Sequence, residues 1–204
     1  MPNDEHVAVL GSGAAVWNAW RAEHDEAPDL SRAGLRGLDL TGFDLSRADL
    51  SGARLSGANI VSASFENARL AKADMEFALM AKALLRGACL HEGDMSGAQL
   101  DGAVLTGADL RKANLRGAGF RNAQLDEADL RDARLGGAFL VGASLRGADL
   151  RGAYLRLAKF DGADLSDANL CDAQGATQEQ LELAHCNSGT KLPEGLRGAE
   201  DAKR

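Results

Sequence analysis

From position 28 to position 172 the chain is written in five-residue units without a gap. Every fifth residue from Leu30 to Leu170 gives 29 positions, of which 22 are Leu; the others are Ile60, Phe65, Met75, Met80, Met95, Phe120 and Phe160. Two residues before each of these, 25 of the 29 positions are Ala, the exceptions being Pro28, Leu38, Phe43 and Gly93. The unit reads Ala-Asp/Asn-Leu-x-Gly, as in Ala108-Asp109-Leu110 and Ala113-Asn114-Leu115. A fixed short period decides the architecture before any residue is read on its own.

A period of five matches neither the 3.6 of an α-helix nor the 2.0 of a flat strand, and a helix read at this period would smear Leu around its circumference. The pattern suits a chain that turns a corner every five residues, with Leu and Ala inward and the Asp/Asn and variable positions outward. Gly fills the last place of the unit in 14 of 29 cases, as expected of tight turns.

These units resemble the pentapeptide-repeat family over about 145 of the 204 residues. The resemblance implies an all-β solenoid, a right-handed quadrilateral β-helix in which four units make a 20-residue coil. The 29 units would then form about seven coils, with short α-helical caps at both ends. At about 4.8 Å per coil the rod would be roughly 35 Å long. Each coil buries its interior only against its neighbours, so the two ends need covers.

Three segments follow: an N-terminal tail and capping helix over 1–27, the rod over 28–174, and a capping helix, strap and polar tail over 175–204. Met1 to Gly13 shows no pattern. Ala14 to about Glu23 has helical propensity with Val16, Trp17 and Trp20 clustered, Ser12 as a candidate N-cap, and Pro28 as a stop. Trp17 and Trp20 read as a hydrophobic lid over the first coil, with an aromatic ligand platform as the other reading. At the far end Thr177-Gln178-Glu179-Gln180 has the form of a capping box. It opens a helix to about Cys186 that presents Leu181 and Ala184. Lys191 to Leu196 reads as an extended strap, and Arg197 to Arg204 has the composition of a disordered tail.

Chemistry is sparse. His6, His24, His91 and His185 are scattered without a spaced partner for metal or acid–base work, and no nucleophile elbow, phosphate loop or paired-Cys motif is present. Ten units carry Asp before the central residue; such residues bond their own turn backbone. The reading is therefore no enzyme, no cofactor and no metal. Three Cys without CxxC spacing (Cys89, Cys171, Cys186) suggest free thiols. No apolar run approaches the roughly 20 residues of a membrane span, and a signal-type N-terminus is missing. The expectation is a cytoplasmic protein without a membrane role.

Wrapping the rod at 20 residues turns outward positions into columns. One holds Asp29, Asp49, Arg69, Cys89, Asp109, Asp129, Asp149 and Asn169, and beside it run Arg111, Arg131 and Arg151. Like charges stacked about 5 Å apart would repel, so these columns read as mutual neutralisation. The face of Leu45 to Leu165 is acidic, net −3, through Asp44, Glu66, Asp126, Glu127, Asp164 and Asp167. Direct nucleic-acid binding lacks the clustered positive footprint it needs.

The second outward anomaly is apolar. Phe77, Leu79, Phe139 and Leu157 fall along one corner, with Gly137, Val141 and Tyr154 near, and Leu84 and Val104 on the next face. Such a line marks a partner or self-association edge, although a local bulge in the irregular stretch Met75 to Leu85 could bury part of it. The favoured expectation is a non-enzymatic protein-binding or structural scaffold, monomer or homodimer, with an unidentified protein partner. The alternative comes from the resemblance. Some members of the family are DNA mimics that bind DNA gyrase or topoisomerase IV and protect it from quinolone-type inhibitors. That role needs a sustained negative field. The net charge of −7 is consistent with it, but residues 28–174 carry only −2.

Overall fold

The computed structural model describes residues 1–197. The polar tail expected from Arg197 onward therefore lies, from residue 198, outside the described residues.

Each five-residue unit makes one turn and one rung. Within the unit the N–H two residues before the next centre donates back to the central carbonyl, as Ala113 N does to Leu110 O at 3.1 Å. The residue between them on the turn holds a left-handed φ of 54–69° in every unit from Arg32 to Asp172. Positive φ at the second of the two central residues is the mark of a type II turn. It sends the chain around a corner while leaving the flanking residues extended.

The extended residues pair in parallel with the residue 20 positions on, in an unbroken series from Asp29↔Asp49 to Tyr154↔Gln174. Three backbone bonds per unit cross between neighbouring layers, as at Asp109 N to Ala88 O (2.9 Å), Leu110 N to Asp129 O (2.8 Å) and Lys112 N to Arg131 O (2.9 Å). Because the side-chain direction alternates along an extended chain, Ala108 and Leu110 point inward and are buried while Asp109 between them is partly exposed. The same alternation repeats in each unit, so Leu, Ala, Phe65, Phe120 and Phe160 fuse into one continuous core. The fold is a solenoid β-helix. The stretch Met75 to Leu85 keeps this register through Leu79↔Gln99 and Leu84↔Val104, which excludes a bulge there.

Several glycines make room as well as turns. A methyl at Gly87, Gly97, Gly142 or Gly152 would collide with Asn67, Phe77, Asn122 or Asp132, each 20 residues earlier. The larger turn residue overhangs the next coil, and Gly beneath it accepts the overhang.

The N-terminal segment differs from the expectation. Residues Asp4–Gly11 form α1, capped by Asn3, whose Oδ1 accepts from Glu5 N at 2.9 Å, with Asp4 and Glu5 in the first turn complementing the helix dipole. Ser12 closes α1; the N-cap of α2 (Ala14–Glu23) is Gly13 with no side-chain bond. Ser12 cannot cap α2 because its N–H and hydroxyl bond back to Val9 O and Ala8 O.

The α2 side chains meet the exposed backbone of the first coil. Trp17 Nε1 donates to Asp44 O (2.7 Å), Arg21 Nη2 to Ser46 O (3.2 Å) and Asn18 Nδ2 to Gly42 O (3.0 Å), while Asn18 Oδ1 accepts from Asp44 N (2.8 Å). Likewise His6 Nδ1 accepts from Asp29 N (2.9 Å) and Asn3 N donates to Asp29 O (3.0 Å). These are the bonds that a preceding coil would have supplied. Trp17 and Arg21 are buried, and Trp20 is half-buried between the rings of His6, Trp17 and His24. Leu38 occupies an inward Ala position yet is 43% exposed, since the α2 contacts fall on residues 42–46.

At the other end α3 (Gln178–Glu182) begins with the capping box: Gln180 N donates to Thr177 Oγ1 (3.3 Å) and Thr177 N to Gln180 Oε1 (2.7 Å). It stops well before Cys186 because His185 must be extended to pair with Asp164. Leu181 and Ala184 are buried, and Gln180 Nε2 donates to Leu155 O (3.1 Å) and Ala158 O (2.7 Å). Lys191 pairs with Asn169, but Pro193 to Leu196 closes a turn instead of continuing as a strap. No helix among the described residues is long and apolar enough to cross a membrane.

Removal of the Trp17 indole tests how local the end contacts are. Trp17→Ala should destabilise by about 3–5 kcal/mol, read from urea unfolding. Hydrogen exchange should speed up at the amides of residues 29–50 and stay slow near Leu110, because a repeat array transmits the loss only to its neighbours.

Candidate functional site

Outward side chains are placed by the turn, so candidate surfaces follow from position in the unit. All ten Asp residues before a centre bond the backbone N–H two residues on, as at Asp94 to Ser96 (2.9 Å), and Asn59 and Asn169 do the same. These carboxylates stabilise turns. Ser96 and Ser166 add hydroxyl or amide donors that outweigh the upward push of burial and hold Asp94 and Asp164 below the ordinary carboxyl range.

The Asp and Arg columns neutralise each other. Arg111 grips Asp109 through Nε (2.8 Å) and Nη2 (2.7 Å), Arg131 grips Asp129 and Arg151 grips Asp149 in the same way. Each of Arg111 and Arg131 also lies 3.6–3.7 Å from the next carboxylate. The Arg151 bond is the main reason that Asp149 is held below its ordinary value.

The acidic face is less negative than its residue list. Glu66 meets Arg86 at 3.7 Å and Asp164 meets Arg146 at 3.0 Å. Asp44 bonds the Ser46 hydroxyl and amide, Asp126 the Ser144 hydroxyl, and Asp167 the Asn187 amide. Among the described residues Asp126 and Glu127 have no cation within ion-pair distance.

The apolar corner is open. Phe77 is 62% exposed and Leu157 67%, with Leu79 and Phe139 each 38% exposed. Phe77 and Leu157 occupy the left-handed turn position (φ 54° and 64°), where every other non-glycine residue of the described turns is polar. A branched or bulky side chain there is costly, on the order of 1 kcal/mol. The two stand in one column four coils apart with Gly97, Gly117 and Gly137 between them. Leu79 and Phe139 share the adjoining column with Gln99 and Gly119. Four steps of about 4.8 Å put the two apolar ends roughly 19 Å apart. The Phe77 ring overhangs Gly97, while a methyl at Gly117 or Gly137 would touch nothing within 4 Å, so those two glycines form an open floor. The Arg121 guanidinium stacks over the Phe139 ring at 4.8 Å, and Arg116 and Arg156 are exposed nearby. Tyr154 and Leu84 are exposed, while Val104 and Val141 are partly buried.

One cluster escaped the sequence reading. Cys89 Sγ lies 3.0 Å from His91 Nδ1, which lies 3.7 Å from Asp109 Oδ2. His91 thus has partners after all, and the signal was in the wrapped columns, where Cys89 sits directly before Asp109. Thiol and carboxylate both face Nδ1. A nucleophile–base–orienter relay needs the two imidazole nitrogens to face different partners, so the trio is not arranged for nucleophilic catalysis.

Fold and surface together define a β-solenoid whose outward positions vary over a uniform core. A family model described as pentapeptide repeats matches residues 29–67, 63–98, 98–137 and 138–174. The chain belongs to the pentapeptide-repeat family. It is similar to the crystal structure of HetL, a pentapeptide repeat protein involved in heterocyst differentiation regulation from the cyanobacterium Nostoc sp. strain PCC 7120. The two are 33% identical over 77% of each chain, with a TM-score of 0.51. Rfr23 from the cyanobacterium Cyanothece 51142 is 29% identical over 46% of this chain and 63% of its own, with a TM-score of 0.40. QnrB1, a plasmid-mediated fluoroquinolone resistance protein, is 18% identical over 85% of this chain and 91% of its own, with a TM-score of 0.41. No curated protein matches the chain at a significant level.

Two expectations follow. Asp149 and Asp164 have folded pKa values below their unfolded ones, so each contributes stability that is present above about pH 4 and lost as pH falls through the folded value. The urea midpoint should drop on acidification to about pH 3, and should drop less in Asp149→Asn with Asp164→Asn. Secondly, Phe77→Gly should change stability by no more than about 1 kcal/mol in urea unfolding, because relief of the left-handed strain offsets lost contacts; a loss of about 3–5 kcal/mol would mark Phe77 as core.

Proposed function

We propose that this protein is a non-enzymatic binding scaffold that presents the corner of Phe77, Leu79, Phe139 and Leu157 to a protein partner. The observation that carries the reading is the pair Phe77 and Leu157. Both accept a strained turn conformation while remaining more than 60% exposed, the Phe77 ring covering only Gly97 of the next coil. The glycine floor between them suits an extended segment, and roughly 19 Å accommodates about six residues at 3.3 Å each. Arg116 and Arg156 beside it favour a partner that combines apolar anchors with acidic residues, Arg121 being paired with Asp101 at 3.6 Å.

In this reading residues 28–174 form the rod, a right-handed, four-sided helix of about seven coils. The segments on either side serve as end covers, with Trp17, Trp20 and Leu181 as their anchors. The free thiols of Cys89 and Cys171 fit a reducing, cytoplasmic setting. A DNA-mimicking topoisomerase binder is the less supported role, since Arg86 and Arg146 interrupt the acidic face at Glu66 and Asp164.

The test is a double substitution. Phe77→Ser with Phe139→Ser should leave the far-UV spectrum and melting cooperativity unchanged. It should abolish both self-association in sedimentation and capture of any partner that the wild-type rod retains. Association that survives the double variant removes the corner from consideration. Inhibition or rescue of gyrase supercoiling that depends on Asp126 and Glu127 would transfer the role to the acidic face.

A further inference from the structure

The column that carries the Asp–Arg pair in three successive coils changes in the coil just before them, where it holds metal ligands. In three successive coils the residues flanking the inward Leu are Asp109 and Arg111, Asp129 and Arg131, Asp149 and Arg151. One coil earlier the same two places hold Cys89 and His91. The ion pair is replaced there by a thiol and an imidazole, next to the last carboxylate of the ladder.

The geometry points to a binding site for a thiophilic divalent cation of the zinc type, held by Cys89 Sγ, His91 Nδ1 and Asp109 Oδ2. Their ligand atoms all lie within 4.8 Å of one another, with Sγ to Nδ1 at 3.0 Å and Nδ1 to Oδ2 at 3.7 Å. Bond lengths of about 2.0–2.3 Å at tetrahedral angles place ligand atoms about 3.5 Å apart, so the thiol must draw back from the imidazole by about half an ångström, and the thiol and carboxylate, within 4.8 Å of each other, must settle near that spacing by side-chain rotation. Parallel pairing of Cys89 with Asp109 and the bond from Leu90 N to Asp109 O (2.7 Å) fix the backbone on which they stand. Leu90 points inward, which sends Cys89 and His91 out on the same side.

Ligand chemistry selects the ion. Thiolate with imidazole and a single carboxylate suits zinc or cobalt and not the oxygen-seeking magnesium or calcium. One thiolate and one carboxylate balance the dication. Arg111 must release Asp109 Oδ2 from Nη2 but can keep Oδ1 through Nε, and Asp129 Oδ2, 3.6 Å from Nε, helps hold the guanidinium beside the ladder. Arg111 would then act as an outer partner that orients the ligating carboxylate. Three protein ligands leave a fourth position, facing a depression of about 360 Å³ lined by His91, Glu92, Arg111, Lys112, Arg131 and Asp132. Water fills that position.

The experiment is a Co²⁺ titration of the full chain under a non-thiol reductant, followed by absorption. The wild type should develop a thiolate-to-cobalt charge-transfer band and tetrahedral visible bands that saturate at one equivalent and are bleached by Zn²⁺. Cys89→Ser should abolish the charge-transfer band, His91→Ala should weaken apparent affinity at least about tenfold, and Cys171→Ser should leave the titration unchanged. All three side chains point outward, so far-UV spectra should be the same throughout. Absence of a charge-transfer band in the wild type overturns the proposal, and so does a band that persists in Cys89→Ser.

Discussion

The left-handed residue in each turn is the constraint on which the solenoid depends. With φ of 54–69° at that one position, the chain bends sharply enough to close a coil in 20 residues and bring each extended residue beside its successor. Gly takes the position without penalty. The 15 non-glycine residues there each carry a cost on the order of 1 kcal/mol, reduced for Asn and Asp, which tolerate this region. Three cross-coil backbone bonds per unit and the burial of one Leu and one Ala outweigh it. The core tolerates little variation because Leu, Phe and Met centres stack directly on one another.

A uniform interior makes the ends the places where the sequence must depart from its pattern. A first coil has carbonyls and amides with no coil before it, and buried backbone groups left unpaired are expensive. Here side chains supply the missing partners: the indole N–H of Trp17, the guanidinium of Arg21, the amide of Asn18 and the imidazole of His6. The buried Arg21 makes sense in this light, since its guanidinium also binds His24 O and Glu26 O and spends its charge on three carbonyl dipoles. Such an end also blocks the edge-to-edge stacking that an open solenoid invites.

The rod was legible in the sequence because a five-residue period admits few chain paths and the same residue types recur at each point of the path. The capping box at Thr177 was legible for the same reason, as a local pattern with a local cause. Helix α1 was not. Asn3, the acidic first turn and the buried pair His6 and Leu10 are all present, but a single eight-residue helix has too few turns for its period to stand out. The end of α3 was set by pairing between His185 and Asp164, a tertiary contact with no local signature. The trio of Cys89, His91 and Asp109 depended on relating residues 20 apart, which the wrapped columns already did for the Asp and Arg ladders. It was missed because His91 was judged by its sequence neighbours alone.

In a repeat this regular, information about partners resides in the outward departures. An Asp beside an Arg in one column repeats what the neighbouring coils say and cancels their field. A phenylalanine in a left-handed turn does not, because the turn position accepts Gly, Asn or Lys elsewhere and nothing in the core requires an aromatic ring there. Leu157, four coils away in the same column, repeats the departure with a different side chain across three intervening glycines. Two strained apolar residues facing solvent across a cleared floor are harder to explain as drift than either alone, since drift toward Gly at either position would relieve strain at no cost to the fold. In the proposed reading, binding is what holds both in place.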